Sequence, residues 1–220
     1  MEELFEAIKT GHRERVRGLV QSSPEALRER HGGATPVLFA AYVGQQGVLE
    51  ELLALAPVLS PFEAAAVGSL PALVAAMRDN PASVGQYSED GWTVLHLAAF
   101  FRQRACVEFI LKHGGDPTAT SRNALRNRPL HAAAARNHTD VCAVLLAHGS
   151  EPDARQHGGY TALHSAAQHG NEALADVLLA SGAAPGLVDD QGKDAAQHAE
   201  DKGHAALAAR LRTLAASVQR

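Results

Sequence analysis

One short pattern returns seven times along the chain, and its spacing limits the fold more than any other feature of the sequence. Each copy begins with alanine, usually doubled, and ends four residues later, most often at glycine. The last residues of the copies are Gly11, Gly44, Gly68, Arg102, Asn137, Gly170 and Gly203. Their separations are 33, 24, 34, 35, 33 and 33 residues, so five of the six lie within two residues of 33. A repeat of this length predicts one small structural unit stacked on its neighbours.

The residues around each copy predict two helices joined by a short turn. A threonine or a proline at the start of the first helix can cap or tolerate the free N–H groups of the first turn. Such starts occur at Thr35-Pro36, Thr93-Val94, Arg128-Pro129 and Thr161-Ala162. The second helix carries an apolar stripe, as in Val141, Val144 and Leu145, and ends at a glycine followed three residues later by proline. Each unit is therefore predicted to be a helix-turn-helix.

These residues resemble the ankyrin repeat, whose core motif is Gly-x-Thr-Pro-Leu-His-x-Ala-Ala-x-x-Gly followed by Leu-Leu-x-x-Gly-Ala-x-Pro. The best copies are Gly159 to Gly170 with Leu178 to Pro185, and Gly91 to Ala99. The resemblance implies an all-α repeat solenoid, a single domain over residues 1–220 made of about seven helix-turn-helix units with short β-hairpin fingers. The expected units are 1–30 (N-terminal cap), 31–57, 58–87, 88–121, 122–155, 156–188 and 189–220 (C-terminal cap).

Two departures from the repeat are visible. The interval of 24 residues leaves only Leu55 to Pro61 where the finger of the third unit belongs, so we expect that finger to be missing. Between the fourth and fifth units, a two-residue excess falls in Asp116 to Arg128, which predicts an elongated, polar finger and a candidate contact loop. The missing finger further suggests that units one to three unfold as a separate block.

Composition favours an ordinary folded protein. The chain has 220 residues, 46% of them hydrophobic, and a formal net charge of -4. It begins without the basic and apolar stretches of a secretory leader and contains no apolar run long enough to span a membrane, so we expect a cytoplasmic protein. The two cysteines are too few for a disulfide framework.

No residue pattern predicts catalysis, a metal site or a cofactor. The sequence has no Gly-rich phosphate loop, no His-Glu-x-x-His and no Gly-x-Ser-x-Gly elbow. His96, His131 and His164 recur at one repeat position, where the resemblance implies a histidine that hydrogen-bonds within and between units. We expect Cys106 and Cys142 to be buried. The acidic pairs Glu50-Glu51 and Asp189-Asp190 are adjacent in sequence, so we expect their side chains to point about 100° apart on a helix and to be solvated on a loop.

The candidate binding residues stand at positions that, in ankyrin-like proteins, face the concave groove without holding the fold. Carried over position by position, the predicted partner-binding residues are Tyr42, Glu89, Asp90, Trp92, Phe100, Phe101, Leu125, Asn127, Arg136, His157, Tyr160 and His169. Five of the ten aromatic residues of the chain fall among 19 such positions, where chance gives about one. Amphipathic side chains in a groove favour protein binding.

Two other interpretations stay open. The aromatic residues could instead pack structurally, Phe100 or Phe101 in the gap of the third unit and Trp92 on residues 80–87. Charge is also banded, since residues 91–130 carry two acidic and six basic residues between two acidic stretches. The arginines of this band are Arg102, Arg104, Arg122, Arg126 and Arg128. The sequence thus predicts a monomeric, non-enzymatic scaffold, adaptor or inhibitor that binds a partner protein, with nucleic-acid binding through the arginine band as the less favoured alternative.

Overall fold

A computed structural model describes residues 2–56 and 58–218, and within them the chain forms fourteen α-helices in seven antiparallel pairs. The helices are α1 (Glu2–Lys9), α2 (Arg13–Ser22), α3 (Pro36–Tyr42), α4 (Gln46–Leu55), α5 (Pro61–Val67), α6 (Leu70–Asp79), α7 (Val94–Phe100), α8 (Arg104–Lys112), α9 (Pro129–Ala134), α10 (Thr139–Ala147), α11 (Ala162–Gln168), α12 (Glu172–Ala180), α13 (Ala195–Asp201) and α14 (Ala205–Val218). Units 1 to 7 below are these pairs in order. Four residues at the outer ends of the expected units 1, 2 and 7, namely Met1, Pro57, Gln219 and Arg220, lie outside the described residues.

Local chemistry sets the ends of these helices. The hydroxyl oxygen of Thr35 accepts the N–H of Leu38 and caps α3, and Ser60 and Glu63 cap α5 reciprocally. The second helices of units 4, 5 and 6 end one or two residues before Gly114, Gly149 and Gly182, which have φ angles of 91°, 92° and 92°. Glycine adopts this left-handed conformation without a steric penalty. The predicted helix starts and stops are confirmed.

Buried residues form two apolar clusters. One joins units 1 and 2 around Ile8, Val16 and Leu52. The other runs from Leu38 through the remaining units to Leu211 and includes the paired alanines of the first helices. Small side chains let neighbouring helices approach closely, so the stack is held by burial between units. The division runs through unit 2, since Val37 and Leu52 belong to the first cluster and Ala34 and Leu38 to the second, whereas the block boundary expected from the sequence follows unit 3.

The fingers are simpler than the β-hairpins expected from the resemblance. Within the described residues no strand forms, and the fingers of units 2, 4 and 7 each contain one isolated bridge. The bridges join His31 with Ala34, Tyr87 with Thr93, and Val188 with Asp194. The other fingers are built from turns.

The third unit has no finger, as the sequence predicts. Helix α4 ends at Leu55 and α5 begins at Pro61, so too few residues remain for one. The finger of unit 2 instead packs directly on that of unit 4, where a Cβ atom added at Gly33 would lie 2.7 Å from the backbone nitrogen of Asp90. A cleft of about 630 Å³ opens beside the short connection, lined in part by Leu27, Leu55 and Val58. No helix in the described part of the chain is long and apolar enough to cross a membrane.

Candidate partner-binding surface

The recurring histidines connect each unit to the next finger. The N–H of Thr93 donates to Nδ1 of His96 at 3.3 Å, and Nε2 of His96 lies 3.1 Å from the carbonyl oxygen of Asn127. A carbonyl oxygen only accepts, so Nε2 carries the proton. His131 and His164 repeat this arrangement, with Nε2 at 2.8 Å from Ala154 O and 3.2 Å from Lys193 O. The structural role expected from the resemblance is confirmed.

Burial keeps these histidines neutral. It lowers the pKa of His96 and of His131 to about 4, against opposing hydrogen bonds to backbone carbonyls. It also raises the pKa of the Cys142 thiol to about 12 and raises that of Cys106. The thiols are therefore protonated and unreactive at neutral pH. Among the residues that the structure describes, no group of three or more potential ligands is placed to hold a metal ion.

Four of the predicted aromatic residues come together in one cluster. Tyr42 lies at the end of α3, and its ring centroid is 6.2 Å from that of Phe100 and 5.5 Å from that of Phe101. The ring of Phe100 lies 5.0 Å from that of Phe101 and 5.3 Å from that of Trp92. We call Tyr42, Trp92, Phe100 and Phe101 the aromatic cluster. It spans the finger-less third unit by joining side chains of units 2 and 4.

The cluster has a buried base and a half-buried rim. Trp92 is 7% exposed and belongs to the large apolar core, so the expectation that it faces a partner is wrong. The alternative of a structural role holds for this residue. Tyr42, Phe100 and Phe101 are half-buried and pack against the core from its surface. A partner can therefore reach these three side chains and not the tryptophan.

Tyr42 is fixed in place by the finger of unit 4. Its hydroxyl group donates to Oδ2 of Asp90 at 2.7 Å. Burial and this hydrogen bond raise the pKa of Tyr42 above its ordinary value, so the hydroxyl group stays protonated. Ser88 donates to the other carboxylate oxygen of Asp90, and the exposed Glu89 lies 3.6 Å from Arg30. Both predicted acidic residues thus already have partners within the protein.

Arg136 lies at the edge of the cluster. It is exposed, and its guanidinium carbon is 5.1 Å from the centroid of Phe100. A guanidinium group over a ring keeps its N–H groups available at the edge of its plane. The structure therefore places one predicted cation directly on the predicted aromatic surface.

Asn127 is the second predicted site residue that the structure buries. It is 4% exposed, and its backbone belongs to the elongated finger, where its N–H donates to Ser121 Oγ at 3.1 Å. Its carbonyl oxygen accepts the hydrogen bond from His96. The expectation that Asn127 is a groove contact is wrong because the finger folds back over its side chain. Leu125, at the tip of the same finger, is 50% exposed.

The remaining predicted residues lie on units 5 to 7, away from the aromatic cluster. The N–H of His157 donates to the carbonyl oxygen of Leu125 at 2.9 Å, and the exposed His169 bonds locally to Ser165 O. The hydroxyl group of Tyr160 lies 3.0 Å from Nδ1 of His198. Tyr160 therefore belongs to a second, smaller polar group.

Sequence reasoning missed the residues beneath Tyr160. Nε2 of His198 lies 2.8 Å from Oδ2 of Asp189, which is 4% exposed and also accepts backbone N–H groups of Gln191 and Lys193. The expectation that Asp189 is solvated on its loop is wrong. On helix α4, Glu51 is 6% exposed and paired with Arg17 at 2.7 Å while Glu50 is exposed, so that pair points apart as expected for a helix. The acidic pair Asp189-Asp190 in a predicted finger is the only sequence signal that could have marked Asp189.

Three of the five arginines of the central band are paired with carboxylates, one of them within its own helix. Arg102 lies 3.1 Å from Asp140, Arg104 lies 2.8 Å from Glu108, and Arg128 lies 2.8 Å from Glu151. Exposed pairs of this kind contribute little stability, but they lower the positive potential that a polyanion would meet.

Comparison with known proteins places these features in a family. The family model described as "Ankyrin repeats (3 copies)" matches residues 62–156 and 130–219. The chain belongs to the ankyrin repeat family. Its repeats are of a kind that serves protein-protein interaction and is typically non-catalytic.

Two curated proteins are similar to parts of this ankyrin repeat chain. A segment of 80 residues is 35% identical to NF-kappa-B inhibitor alpha of Homo sapiens, covering 36% of this chain and 25% of that protein. A segment of 159 residues is 28% identical to the glycerophosphocholine phosphodiesterase gde1 of Schizosaccharomyces pombe, covering 71% of this chain and 12% of that enzyme. The chain spans a quarter or less of either relative.

Proposed function

We propose that this ankyrin repeat protein binds a partner protein through its concave face, at a surface centred on Tyr42, Phe100 and Phe101. The observation that carries the proposal is the position of these three side chains. They stand where the repeat does not require apolar residues, they lie together, and each is half-buried rather than enclosed. Large aromatic side chains at an accessible position are the usual centres of protein interfaces.

The mechanism is preorganisation. Tyr42 is held by Asp90 and by its two phenylalanine neighbours, so its orientation is set before a partner arrives. Ordering flexible side chains at an interface costs about 0.5–1.5 kcal/mol each, and that cost is already met in the folded stack. Arg136 adds a charged group next to the same apolar surface.

The comparisons support a binding role over an enzymatic one. One relative is named as an inhibitor of another protein, and inhibition is one of three roles, with scaffolding and adaptor function, that fit this surface. The match to a phosphodiesterase covers 12% of that enzyme, so it supports no transfer of its activity. We further propose that the protein acts as a cytoplasmic monomer without a cofactor.

The experiment is affinity capture with matched variants. The wild-type protein, a Phe100→Ser/Phe101→Ser variant and a Phe109→Ser control are immobilised and exposed to lysate of the source organism. Phe109 is also half-buried but lies on α8, outside the aromatic cluster, where it stacks on His113. Circular dichroism first verifies that all three fold.

The proposal expects a set of proteins retained by the wild type and the Phe109 variant and lost from the double variant. Retention of the same proteins by all three would contradict it. If the protein retains nucleic acid, and a modest rise in salt concentration releases it, the arginine-band alternative is favoured instead.

A further inference from the structure

Charge pairing leaves one region of the chain with available arginines. Within the described residues, most arginines have a carboxylate oxygen within 4 Å. The four described arginines without such a partner are Arg122, Arg126, Arg136 and Arg155. All four are exposed, and all lie in the finger or groove positions of units 5 and 6. Among the described arginines, those without a carboxylate partner are thus confined to units 5 and 6.

Two of these arginines lie over aromatic rings. The guanidinium carbon of Arg122 lies 3.9 Å from the ring centroid of Tyr87, and that of Arg136 lies 5.1 Å from that of Phe100. Stacking restricts the guanidinium plane and leaves its N–H edge free to bind a carboxylate through two parallel hydrogen bonds. These two side chains therefore have aromatic neighbours and no carboxylate partner within the protein, which leaves them available to an anion.

A continuous path of contacts joins the two stacked arginines. The backbone N–H of Arg122 donates to the carbonyl oxygen of Gly91 at 2.8 Å, and the next residue, Trp92, packs on Phe100 at 5.3 Å. Phe100 in turn carries Arg136. Arg136 therefore lies on the aromatic cluster, and Arg122 is connected to it through the backbone of Gly91 and Trp92.

We infer that the segment of the partner that occupies this surface is acidic and carries a large apolar side chain. Its carboxylates pair with Arg122 and Arg136, and its apolar side chain packs against Phe100 and Phe101. This inference rests on the proposed function, because it names the chemistry of the partner at the same surface. The partner segment is short, because only the two arginines and one apolar patch contact it.

Charge on either side favours a protein segment over a nucleic acid. Residues 31–90 carry six acidic and one basic residue, and residues 131–190 carry seven acidic and two basic ones. A polyanion lying along the stack would meet these acidic units on both sides of the basic band and be repelled. A short acidic peptide that contacts Arg122 and Arg136 meets few of these acidic residues.

The test is selection of peptides against the full chain. A phage-displayed library of random peptides of about twelve residues, long enough to cross such a patch, is selected on immobilised wild-type protein. Affinities of the enriched peptides are then measured for the wild type, for Arg122→Gln/Arg136→Gln and for Arg210→Gln. Arg210 on unit 7 is exposed, is paired with Asp176 of unit 6 and serves as the matched control. Glutamine keeps part of the side chain and removes the charge.

The expected result is enrichment of peptides that combine Asp or Glu with Leu, Phe, Tyr or Trp. Their affinity should fall by about tenfold or more in the double arginine variant and stay unchanged in Arg210→Gln. Enriched peptides without acidic residues, bound equally by all three proteins and lost only in Phe100→Ser/Phe101→Ser, would overturn the inference while leaving the proposed function in place.

Two other results would also overturn it. Peptides that bind every variant, including the double phenylalanine variant, would contradict both the inference and the proposed function. Tight binding of an oligothymidylate that displaces the selected peptides and depends on Arg122 and Arg136 would assign the surface to single-stranded nucleic acid.

Discussion

The two halves of the stack are held together by different chemistry. In units 4, 5 and 6, a buried histidine at the start of the first helix bonds to a backbone carbonyl of the next finger. In unit 2 the same position is Leu38, and no finger follows it. In unit 3 the position is Glu63, which turns back and accepts the Thr35 hydroxyl at 2.6 Å. In units 4, 5 and 6 the histidine thus holds the finger of the next unit, whereas unit 3, which precedes the finger of unit 4, has no histidine at this position.

Side chains replace the missing backbone connection in the first half. Tyr42 reaches over unit 3 to Asp90, and Gly33 brings the finger of unit 2 against the finger of unit 4. These contacts skip one unit, whereas the histidine contacts join neighbours. A repeat protein can therefore lose one finger when longer side chains carry the contact to the unit beyond.

The first prediction compares how the stability of the two halves of the stack depends on pH. His96 and His131 have a pKa of about 4 in the folded protein, against about 6.5 when unfolded. Between these values the unfolded chain binds more protons, so stability is full above about pH 6.5 and falls as the pH drops toward 4. The loss reaches about 3 kcal/mol for each histidine. Urea unfolding from about pH 7 down to about pH 4.5 measures it.

Hydrogen exchange locates that loss. Protection should fall first in units 4 to 6, which contain the two histidines. In the first half, the hydrogen bond from Arg17 holds the pKa of Glu51 below its ordinary value, so its contribution is lost only at lower pH. Equal loss of protection in units 1 and 2 would show that the histidines do not set the acid sensitivity.

The second prediction removes one connection from the regular half. His131→Ala deletes the hydrogen bonds to Arg128 N and Ala154 O and leaves a buried gap, so the free energy of unfolding should fall by about 3 kcal/mol. His169→Ala is the control, since this exposed residue bonds only to Ser165 of its own helix turn. A loss as small as that of the control would mean that the finger of unit 6 is held by other contacts.

The features that recur from unit to unit were predictable from the sequence, whereas the contacts made by irregular fingers were not. Helix starts, glycine stops and the missing finger follow from residues close together in the chain, the histidine role follows from the resemblance to the ankyrin repeat, and all are confirmed. The burial of Trp92 and Asn127 was not predictable because it depends on how the fingers of units 4 and 5 fold back. The bond between Tyr160 and His198 joins residues 38 positions apart, and no local pattern marks it.

The third prediction breaks the finger contact that replaces unit 3. Gly33 has a φ of 84°, and a Cβ atom there would clash with Asp90 N at 2.7 Å. Gly33→Ala should therefore lower the free energy of unfolding by about 2 kcal/mol. Gly32→Ala is the matched control because Gly32 has a φ of 57° and open space around its Cβ position. If the two variants lose the same stability in thermal unfolding, the effect comes from backbone conformation alone, and the close approach of Gly33 to Asp90 does not contribute.

The smallest predicted effect concerns the side chain that reaches over unit 3. Tyr42→Phe keeps the ring in the aromatic cluster and removes the hydroxyl group that donates to Asp90 at 2.7 Å, so the free energy of unfolding should fall by about 1 kcal/mol. Tyr87→Phe is the control, because in the described part of the chain the Tyr87 hydroxyl makes no hydrogen bond while its ring carries Arg122. The double variant Tyr42→Phe/Asp90→Asn separates the hydrogen bond from the rest of the contact. If the stability losses of the two single variants, Tyr42→Phe and Asp90→Asn, add fully in the double variant, the Tyr42 hydroxyl and the Asp90 carboxylate are not coupled. The first half is then joined to the second by finger packing rather than by this side chain.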